Sequence, residues 1–335
     1  MKKLMIAALM MLGTSAAFAG DSELLKAVLA AKDFAQASQL LKQNLGQMAN
    51  AAEKAKAYNY VTKLALKSYD AQNAIEAANV QAKLLKQKVT PYDTLAFYQA
   101  AYDATVNAVE CAKYDAEPNE KGKVKPKFTD ELAQTAGNAR LQLVNAGNYY
   151  AQRNDQENIL KYWGTFLDTD GNPMFAKTHD SEKQYLGQVA YYTALYANQA
   201  KQYDRAEKYA DIAMQDTAMR KQAETLKYAM AQMNLKTRAD SLAFAEKMKA
   251  TYEAEPNNET VFGLLCNMYS GMNMDTELNA VLDKAIATNP NNFTAWAMKG
   301  HSLVNKESKK QNPHYDECIN DFKKAVAIKD ASSVV

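Results

Sequence analysis

An internal repetition constrains this chain of 335 residues more than any other feature. The triplet Pro256–Asn258 recurs as Pro290–Asn292, which gives a period of about 34 residues. The overlapping segment Tyr252–Asn257 has an echo at Tyr114–Asn119, and the separation of these two segments is close to four such periods. A fixed period of this length is typical of chains built from stacked supersecondary units, none of which buries its apolar face alone.

Composition indicates that these units are helical. The chain has 58 alanines but only 22 valines and isoleucines together, with 12 glycines and 7 prolines. Alanine is the best helix former, whereas strands favour branched side chains. Apolar residues recur every three or four positions in segments such as Asn279–Ile286, and all seven prolines fall between such segments. We therefore predict an all-α fold.

In two consecutive units of the C-terminal half, large and small residues occupy a recognisable set of positions, and the first of these units has a proline near its end. In the unit from Glu259 to Asn292 these positions are Phe262, Leu265, Cys266, Tyr269, Ala285 and Pro290. The next unit has Trp296, Gly300, Cys318, Phe322 and Ala325, with extra residues between its helices around Lys309–Pro313. This pattern resembles the tetratricopeptide repeat family. The resemblance implies a right-handed superhelical solenoid of about seven or eight antiparallel helix hairpins.

The resemblance covers nearly all of residues 22–330 and divides them into two stretches. Residues 182–330 hold the more regular repeats, whereas residues 20–168 hold degenerate ones with a loop insertion at 117–128. A second interruption, Asp168–Ser181, separates the two stretches. Neither interruption has the composition of a flexible linker, so we expect the two stretches to be continuous.

Within the degenerate stretch the apolar pattern predicts helix pairs near 48–88 and 92–116, and another near 129–168. The loop at 117–128 is too polar and too interrupted by proline for a helix. Its segment Lys121–Lys127 is rich in lysine, which leaves open a basic contact patch, although a solvated connection explains the same residues.

The N-terminal segment 1–19 has the features of a secretory signal peptide. Lys2 and Lys3 precede the apolar run Leu4–Leu12, and Ala17–Ala19 reads as a cleavage site of the A-x-A type. The run is shorter than the roughly 20 apolar residues that span a bilayer. We expect cleavage after Ala19, a periplasmic or secreted product, and no membrane insertion after cleavage. The alternative for this segment is a buried N-terminal helix.

Charge excludes one class of partner. The formal net charge is +2, and it falls to zero once the two lysines of the leader are removed, leaving 38 basic and 38 acidic residues. Nucleic-acid binding normally requires an excess of basic residues, so we expect no nucleic-acid partner. A neutral chain also lacks long-range electrostatic steering, so partner association should depend weakly on salt.

The sequence shows no catalytic or metal-binding motif. The three histidines, His179, His301 and His314, have no spacing of a known zinc site. The segment Asp168–Asn172 begins like the calcium-binding loop of an EF-hand, but its glycine stands at the wrong position and the twelfth residue of the loop is not the required glutamate. A turn at the glycine explains the same residues. We therefore expect neither a metal nor a cofactor, and no enzymatic activity.

The three cysteines are too far apart to suggest a disulfide framework. Cys111, Cys266 and Cys318 are odd in number, have no C-x-x-C spacing, and each falls inside a helical pattern. We interpret them as small buried residues. Most of the 20 tyrosines should likewise fill interhelix positions, with the remainder available to a binding groove.

The family resemblance implies a noncatalytic scaffold of the bacterial envelope that binds a protein or peptide on its concave face. Transferring the family's groove positions gives Asn267 and Ser270 in one repeat and His301 and Asn305 in the next. The basic residues of the family's clamp for a C-terminal carboxylate are missing at matching positions. Three alternatives stay open: a permanent subunit of an envelope or secretion complex, a glycan- or peptidoglycan-binding protein, and a two-carboxylate hydrolase on a helical toroid.

Overall fold

The computed structural model describes residues 21–118 and 122–332. Within these ranges the chain forms fourteen α-helices, two single-turn 3-10 helices at Leu45–Gln47 and Pro173–Phe175, and no strand. The predicted all-α fold class is confirmed. None of the helices in these ranges is long and apolar enough to cross a bilayer. The predicted leader, Met1–Ala19, lies outside the described residues.

The chain divides into two compact units, the first ending at Ala213 and the second beginning at Met214. The predicted interruption at Asp168–Ser181 therefore falls inside the first unit. The helices that begin in the first unit are α1 (Glu23–Leu29), α2 (Phe34–Asn44), α3 (Ala51–Leu84), α4 (Thr94–Asp115), α5 (Thr129–Ala151), α6 (Gln156–Asp168), α7 (His179–Gln199) and α8 (Tyr203–Met214).

The second unit contains residues 214–330 of the stretch predicted to hold the more regular repeats, whereas residues 182–213 of that stretch lie in the first unit. Its helices are α9 (Arg220–Met233), α10 (Arg238–Ala254), α11 (Glu259–Gly271), α12 (Asp275–Thr288), α13 (Phe293–Glu307) and α14 (Asp316–Ser332). Each helix from α10 onward packs against the next one along the chain, and α11 also packs against α9 and α13. Contacts between alternate helices are what stacked hairpins produce, because equivalent helices of neighbouring hairpins then lie side by side.

The repeated Pro-Asn-Asn triplet sets equivalent helix starts. The side chain of Asn258 accepts a hydrogen bond of 3.1 Å from the backbone N–H of Val261 at the start of α11. The side chain of Asn292, one period later, accepts one of 2.9 Å from Ala295 at the start of α13. Asparagine is among the best N-cap residues, and the proline two residues earlier cannot continue the preceding helix. The period in the sequence is thus a period in helix starts.

The predicted helix pairs near 48–88 and 92–116 are wrong. Each range forms a single long helix, α3 and α4, and these two helices pack against each other. The physical reason lies in the sequence of α3, which contains no proline or glycine anywhere along its length. The pair predicted near 129–168 is confirmed, because α5 and α6 form it.

Both interruptions are anchored by carboxylates. One oxygen of Asp115, at the end of α4, accepts hydrogen bonds from the backbone N–H groups of Phe128 and Thr129 at 2.8 and 2.9 Å. These bonds hold the end of the 117–128 loop against α4. In the second interruption Gly171 has a φ of 73°, which confirms the predicted glycine turn, and Asp168 accepts a 2.8 Å bond from Lys208.

Candidate functional site

A groove of about 460 Å³ in the second unit is lined by alternate helices. Residues of α9 and α11 make up most of its lining, and α13 contributes Thr294. The lining residues are Lys221, Thr225, Tyr228, Ala229, Gln232, Glu259, Thr260, Gly263, Leu264, Asn267 and Thr294. No residue of α10 or α12 lines it.

Helical spacing explains why these residues share one opening. On α9, Thr225 lies four residues after Lys221, and Gln232 lies four residues after Tyr228. Residues three or four apart lie on the same helix face, so these side chains form a stripe along α9. The opposite stripe of α9 carries the buried residues Ala223, Leu226 and Met230.

A hydrogen-bonded cluster fixes the separation of α9 and α11. The Oε1 atom of Glu224 accepts a bond of 2.9 Å from the Tyr228 hydroxyl and another of 2.9 Å from the side-chain amide of Asn258. Asn258 is also the N-cap of α11, so the same side chain starts one helix and binds the other. Burial and the hydrogen bond to Glu224 raise the pKa of Tyr228, which keeps its hydroxyl protonated as a donor.

A smaller opening of about 300 Å³ continues the groove around the first turns of α9 and α11. Its charged residues are two basic and two acidic, namely Arg220, Lys221, Glu224 and Glu259. Lys221 and Glu259 approach each other to 3.7 Å across the opening, and both side chains are about three-quarters exposed. Such an exposed pair adds little stability, but it leaves the groove without net charge.

The groove lining includes two side-chain amides that are free to bind a ligand, and one glycine. The side chains of Gln232 and Asn267 are exposed and form no hydrogen bond to another described residue. Gly263, four residues before Asn267 on α11, also lines the groove, and an added Cβ there would meet no atom within 4 Å. A glycine in the middle of a helix costs about 1 kcal/mol relative to alanine, and packing does not require this one. The groove can therefore admit a ligand close to the backbone of α11.

The residues that carry the family resemblance form the layer beneath the groove. The five predicted for α11 and α12 are all buried in one apolar cluster, namely Phe262, Leu265, Cys266, Tyr269 and Ala285. The rings of Tyr252 and Phe262 lie 5.3 Å apart in this cluster. Pro290 is exposed, and its carbonyl accepts a 2.8 Å hydrogen bond from the indole N–H of Trp296.

The pair α13 and α14 uses its small residues as the sequence predicts. Gly300 is buried, and a Cβ there would lie 3.0 Å from the ring of Phe322. Cys318 and Ala325 are buried on α14, and the ammonium of Lys324 lies 4.0 Å from the centre of the Trp296 ring. The helices α13 and α14 can thus approach closely because Gly300 has no side chain.

Of the four predicted groove residues, Asn267 lines the groove. Ser270 is exposed one turn later on α11, outside the lining. His301 and Asn305 are exposed on α13 and also lie outside it; the His301 ring meets the edge of Phe322 at 5.0 Å. Sequence reasoning missed α9 as a wall of the groove, because no Pro-Asn-Asn triplet precedes this helix.

All three cysteines are free and buried, as predicted. Burial raises the pKa of the Cys266 thiol to about 12, and burial together with nearby carboxylates raises that of Cys111 to about 12. Neutral thiols of this kind are inert, so they act as small packing residues. Among the described residues no group of three or more histidine, cysteine or carboxylate side chains could hold a metal ion.

A buried charge cluster in the first unit is a further feature that the sequence did not indicate. Arg140 of α5 is fully buried and forms an ion pair with Glu182 of α7, which is also fully buried. The guanidinium donates bonds of 2.9 Å to Thr169 Oγ1 and 2.5 Å to the Phe166 carbonyl. Burial lowers the pKa of Arg140, while Glu182 opposes this shift. The cluster joins α5, α6 and α7, which is a structural role.

The chain matches no protein-family model and no curated protein sequence. The resemblance to tetratricopeptide repeats therefore rests on the sequence positions named above.

Proposed function

We propose that the chain is a noncatalytic scaffold that binds an extended peptide segment of a partner protein in the groove between α9 and α11. The observation that carries this proposal is the groove's lining, which comes only from α9, α11 and α13 and includes the predicted residue Asn267. In a right-handed solenoid of tetratricopeptide type, such alternate helices form the concave surface. The proposal includes a periplasmic or secreted location, on the evidence of the leader sequence.

The chemistry of the groove favours a peptide backbone as the ligand. A side-chain amide offers both a donor and an acceptor, and the free amides of Gln232 and Asn267 can pair with the N–H and C=O groups of an extended chain. The charged residues balance, which favours an uncharged stretch over a terminal carboxylate or a phosphate. The one tyrosine of the groove is half-buried and bonded to Glu224, so it offers little ring surface for stacking on a sugar.

The proposal can be tested with peptides selected against the full chain. A displayed library of random linear peptides would be selected for binding, and the affinities of the selected peptides measured by fluorescence anisotropy. We expect Asn267→Ala to weaken these peptides by about two- to tenfold, because one hydrogen bond is lost. A double variant with Gln232→Ala should weaken them further.

The matched control is Asn279→Ala on α12. This amide is half-buried, bonds only to a backbone carbonyl of its own helix and to Ser302, and does not line the groove. It should leave peptide affinity unchanged. Selected peptides that bind the double variant as tightly as the unaltered chain would refute the groove as the binding site, and a selection that yields no peptide would refute the peptide ligand.

A further inference from the structure

The C-terminal part of α3 extends beyond the core of the first unit. In its N-terminal part, from Ala51 to Tyr69, nine side chains are buried. Among residues 70–84, all of them described, only Asn79 is buried. This second part covers about 22 Å of helix, because each residue of an α-helix adds roughly 1.5 Å.

The chain after α3 folds back along this extension and holds it in shape. The side chain of Asn79 exchanges two hydrogen bonds of 2.7 Å with the backbone of Thr90. The backbone N–H of Gln87 donates 2.7 Å to the carbonyl of Ala82, which closes the helix with Lys86 at a φ of 55°. The extension therefore ends in an ordered turn. We refer to residues 80–89 as the α3 tip.

The α3 tip exposes large aliphatic side chains. Leu84 is 77% exposed, and Leu85 is 59% exposed. Val80 and Val89 are 55% and 40% exposed. These four exposed aliphatic side chains lie within ten residues, and exposed apolar patches mark binding sites for proteins or membranes.

The same segment carries three lysines and no acid. Lys83, Lys86 and Lys88 lie in a stretch without any carboxylate between Glu76 and Asp93. Within the described part of the chain none of these three lysines forms an ion pair. The tip is therefore a local basic patch on a chain whose remaining charges nearly cancel.

We infer that the α3 tip docks on the surface of an anionic lipid bilayer. The lysines would contact the charged headgroups, and Leu84 and Leu85 would enter the boundary of the acyl chains. A nucleic acid would gain nothing from the aliphatic side chains. A second copy of this chain would bring the lysines of two tips together, which like-charge repulsion opposes. This inference is independent of the groove in the second unit.

The test is flotation of the full chain with lipid vesicles. Vesicles of phosphatidylcholine alone are compared with vesicles that also contain phosphatidylglycerol. We expect binding to the anionic vesicles, weak binding to the neutral ones, and release by salt. Changing Lys83, Lys86 and Lys88 to Gln should lower binding to anionic vesicles about a hundredfold, because each lysine near the surface contributes about fivefold. Leu84→Ser with Leu85→Ser should lower binding as well.

A pair of glycine substitutions separates binding from folding. Lys86 and Lys201 both lie at helix ends with positive φ, at 55° and 59°. Glycine relieves the strain at either position, so neither Lys86→Gly nor Lys201→Gly should lower the thermal midpoint. Only Lys86→Gly should weaken vesicle binding. The inference is overturned if the unaltered chain binds neither vesicle, if it binds both equally, or if the tip variants bind like the unaltered chain. Binding to soluble polyglutamate but not to anionic vesicles would assign the tip to an acidic protein and also overturn it.

Discussion

At the scale of single residues, two buried acidic groups hold the first unit together in different ways. Asp115 is satisfied by backbone N–H groups from the end of the 117–128 loop, whereas Glu182 is satisfied by the guanidinium of Arg140. Burial alone would raise the pKa of Asp115, but the backbone hydrogen bonds from Lys127, Phe128 and Thr129 lower it below its usual value. The two sites therefore respond differently to substitution.

Asp115→Asn should destabilise the chain by about 1–3 kcal/mol at neutral pH, because a charge-assisted set of hydrogen bonds is lost. A carboxyl group with a lowered pKa in the folded state stabilises that state above its unfolded pKa of about 3.9. This contribution disappears as the pH falls through the folded pKa. Urea denaturation at neutral pH and near pH 3 measures the effect. The prediction is contradicted if Asp115→Asn lowers the free energy of unfolding by the same amount at both pH values.

Arg140→Met should destabilise the chain by about 3–5 kcal/mol, because it leaves the carboxylate of Glu182 buried and unpaired. Adding Glu182→Leu should restore much of the loss, since the fully buried carboxylate is then gone as well and the remaining partner of Arg140, Asp170 at 3.6 Å, is partly exposed. Thermal and urea denaturation of the two single variants and the double variant give the coupling between the residues. If the loss of unfolding free energy in the double variant equals the sum of the losses in the two single variants, the residues do not act as a pair.

At the scale of elements, the long helix α3 contains two parts with different surroundings. Residues 51–69 hold nine buried side chains, whereas residues 70–84 contribute one. Hydrophobic periodicity did not distinguish one long helix from a helix pair here, because alanine fits both the buried and the exposed faces. A turn between two helices requires a breaker such as glycine or proline, and α3 has none.

We predict that backbone amides of residues 70–84 exchange with solvent at least tenfold faster than those of residues 55–69. Local opening costs less where few apolar groups are buried. Hydrogen exchange followed by mass spectrometry measures the two segments in one experiment. Residues 101–112 of α4, most of which are buried or half-buried, serve as the protected reference. Equal protection along the whole of α3 would show that the extension is covered in solution.

Element starts in the second unit could be predicted because their signals are local. Asn258 and Asn292 are N-caps, and an N-cap acts within one helical turn. The small positions Cys266 and Gly300 were predictable for the same reason, since the repeat places them at fixed offsets. The cluster around Arg140 was not predictable, because its partner Glu182 lies 42 residues away and no spacing rule connects them.

At the scale of the whole molecule, basic and acidic residues nearly cancel in number, while lysines cluster at the α3 tip and in the 117–128 loop. The sequence has 40 basic and 38 acidic residues, and the groove has matched charges of its own. Asn267 was predictable as a groove residue, but the wall that faces it on α9 depends on how hairpins stack. Of the tyrosines that the sequence left available to a groove, Tyr228 lines this one.

These charges predict opposite salt dependences for the two proposed surfaces. Peptide affinity in the groove should change less than about threefold between low and physiological salt, because exposed balanced charges contribute little. Vesicle binding by the α3 tip should fall steeply over the same range. Fluorescence anisotropy measures the peptide affinity and flotation measures the vesicle binding, in matched buffers. Steep salt dependence of peptide binding would show that unbalanced charges dominate the groove.

The most direct test of the scaffold proposal is site-specific photo-crosslinking in the cell. A photoreactive amino acid would replace Thr225, which is exposed and lines the groove on α9, and in a second strain Lys247, which is exposed on α10 outside it. We predict that Thr225 forms a discrete crosslink to a partner protein, and that Gln232→Ala with Asn267→Ala in the same chain removes it. No crosslink from Thr225, or the same partner captured equally from Lys247, would contradict a binding groove between α9 and α11.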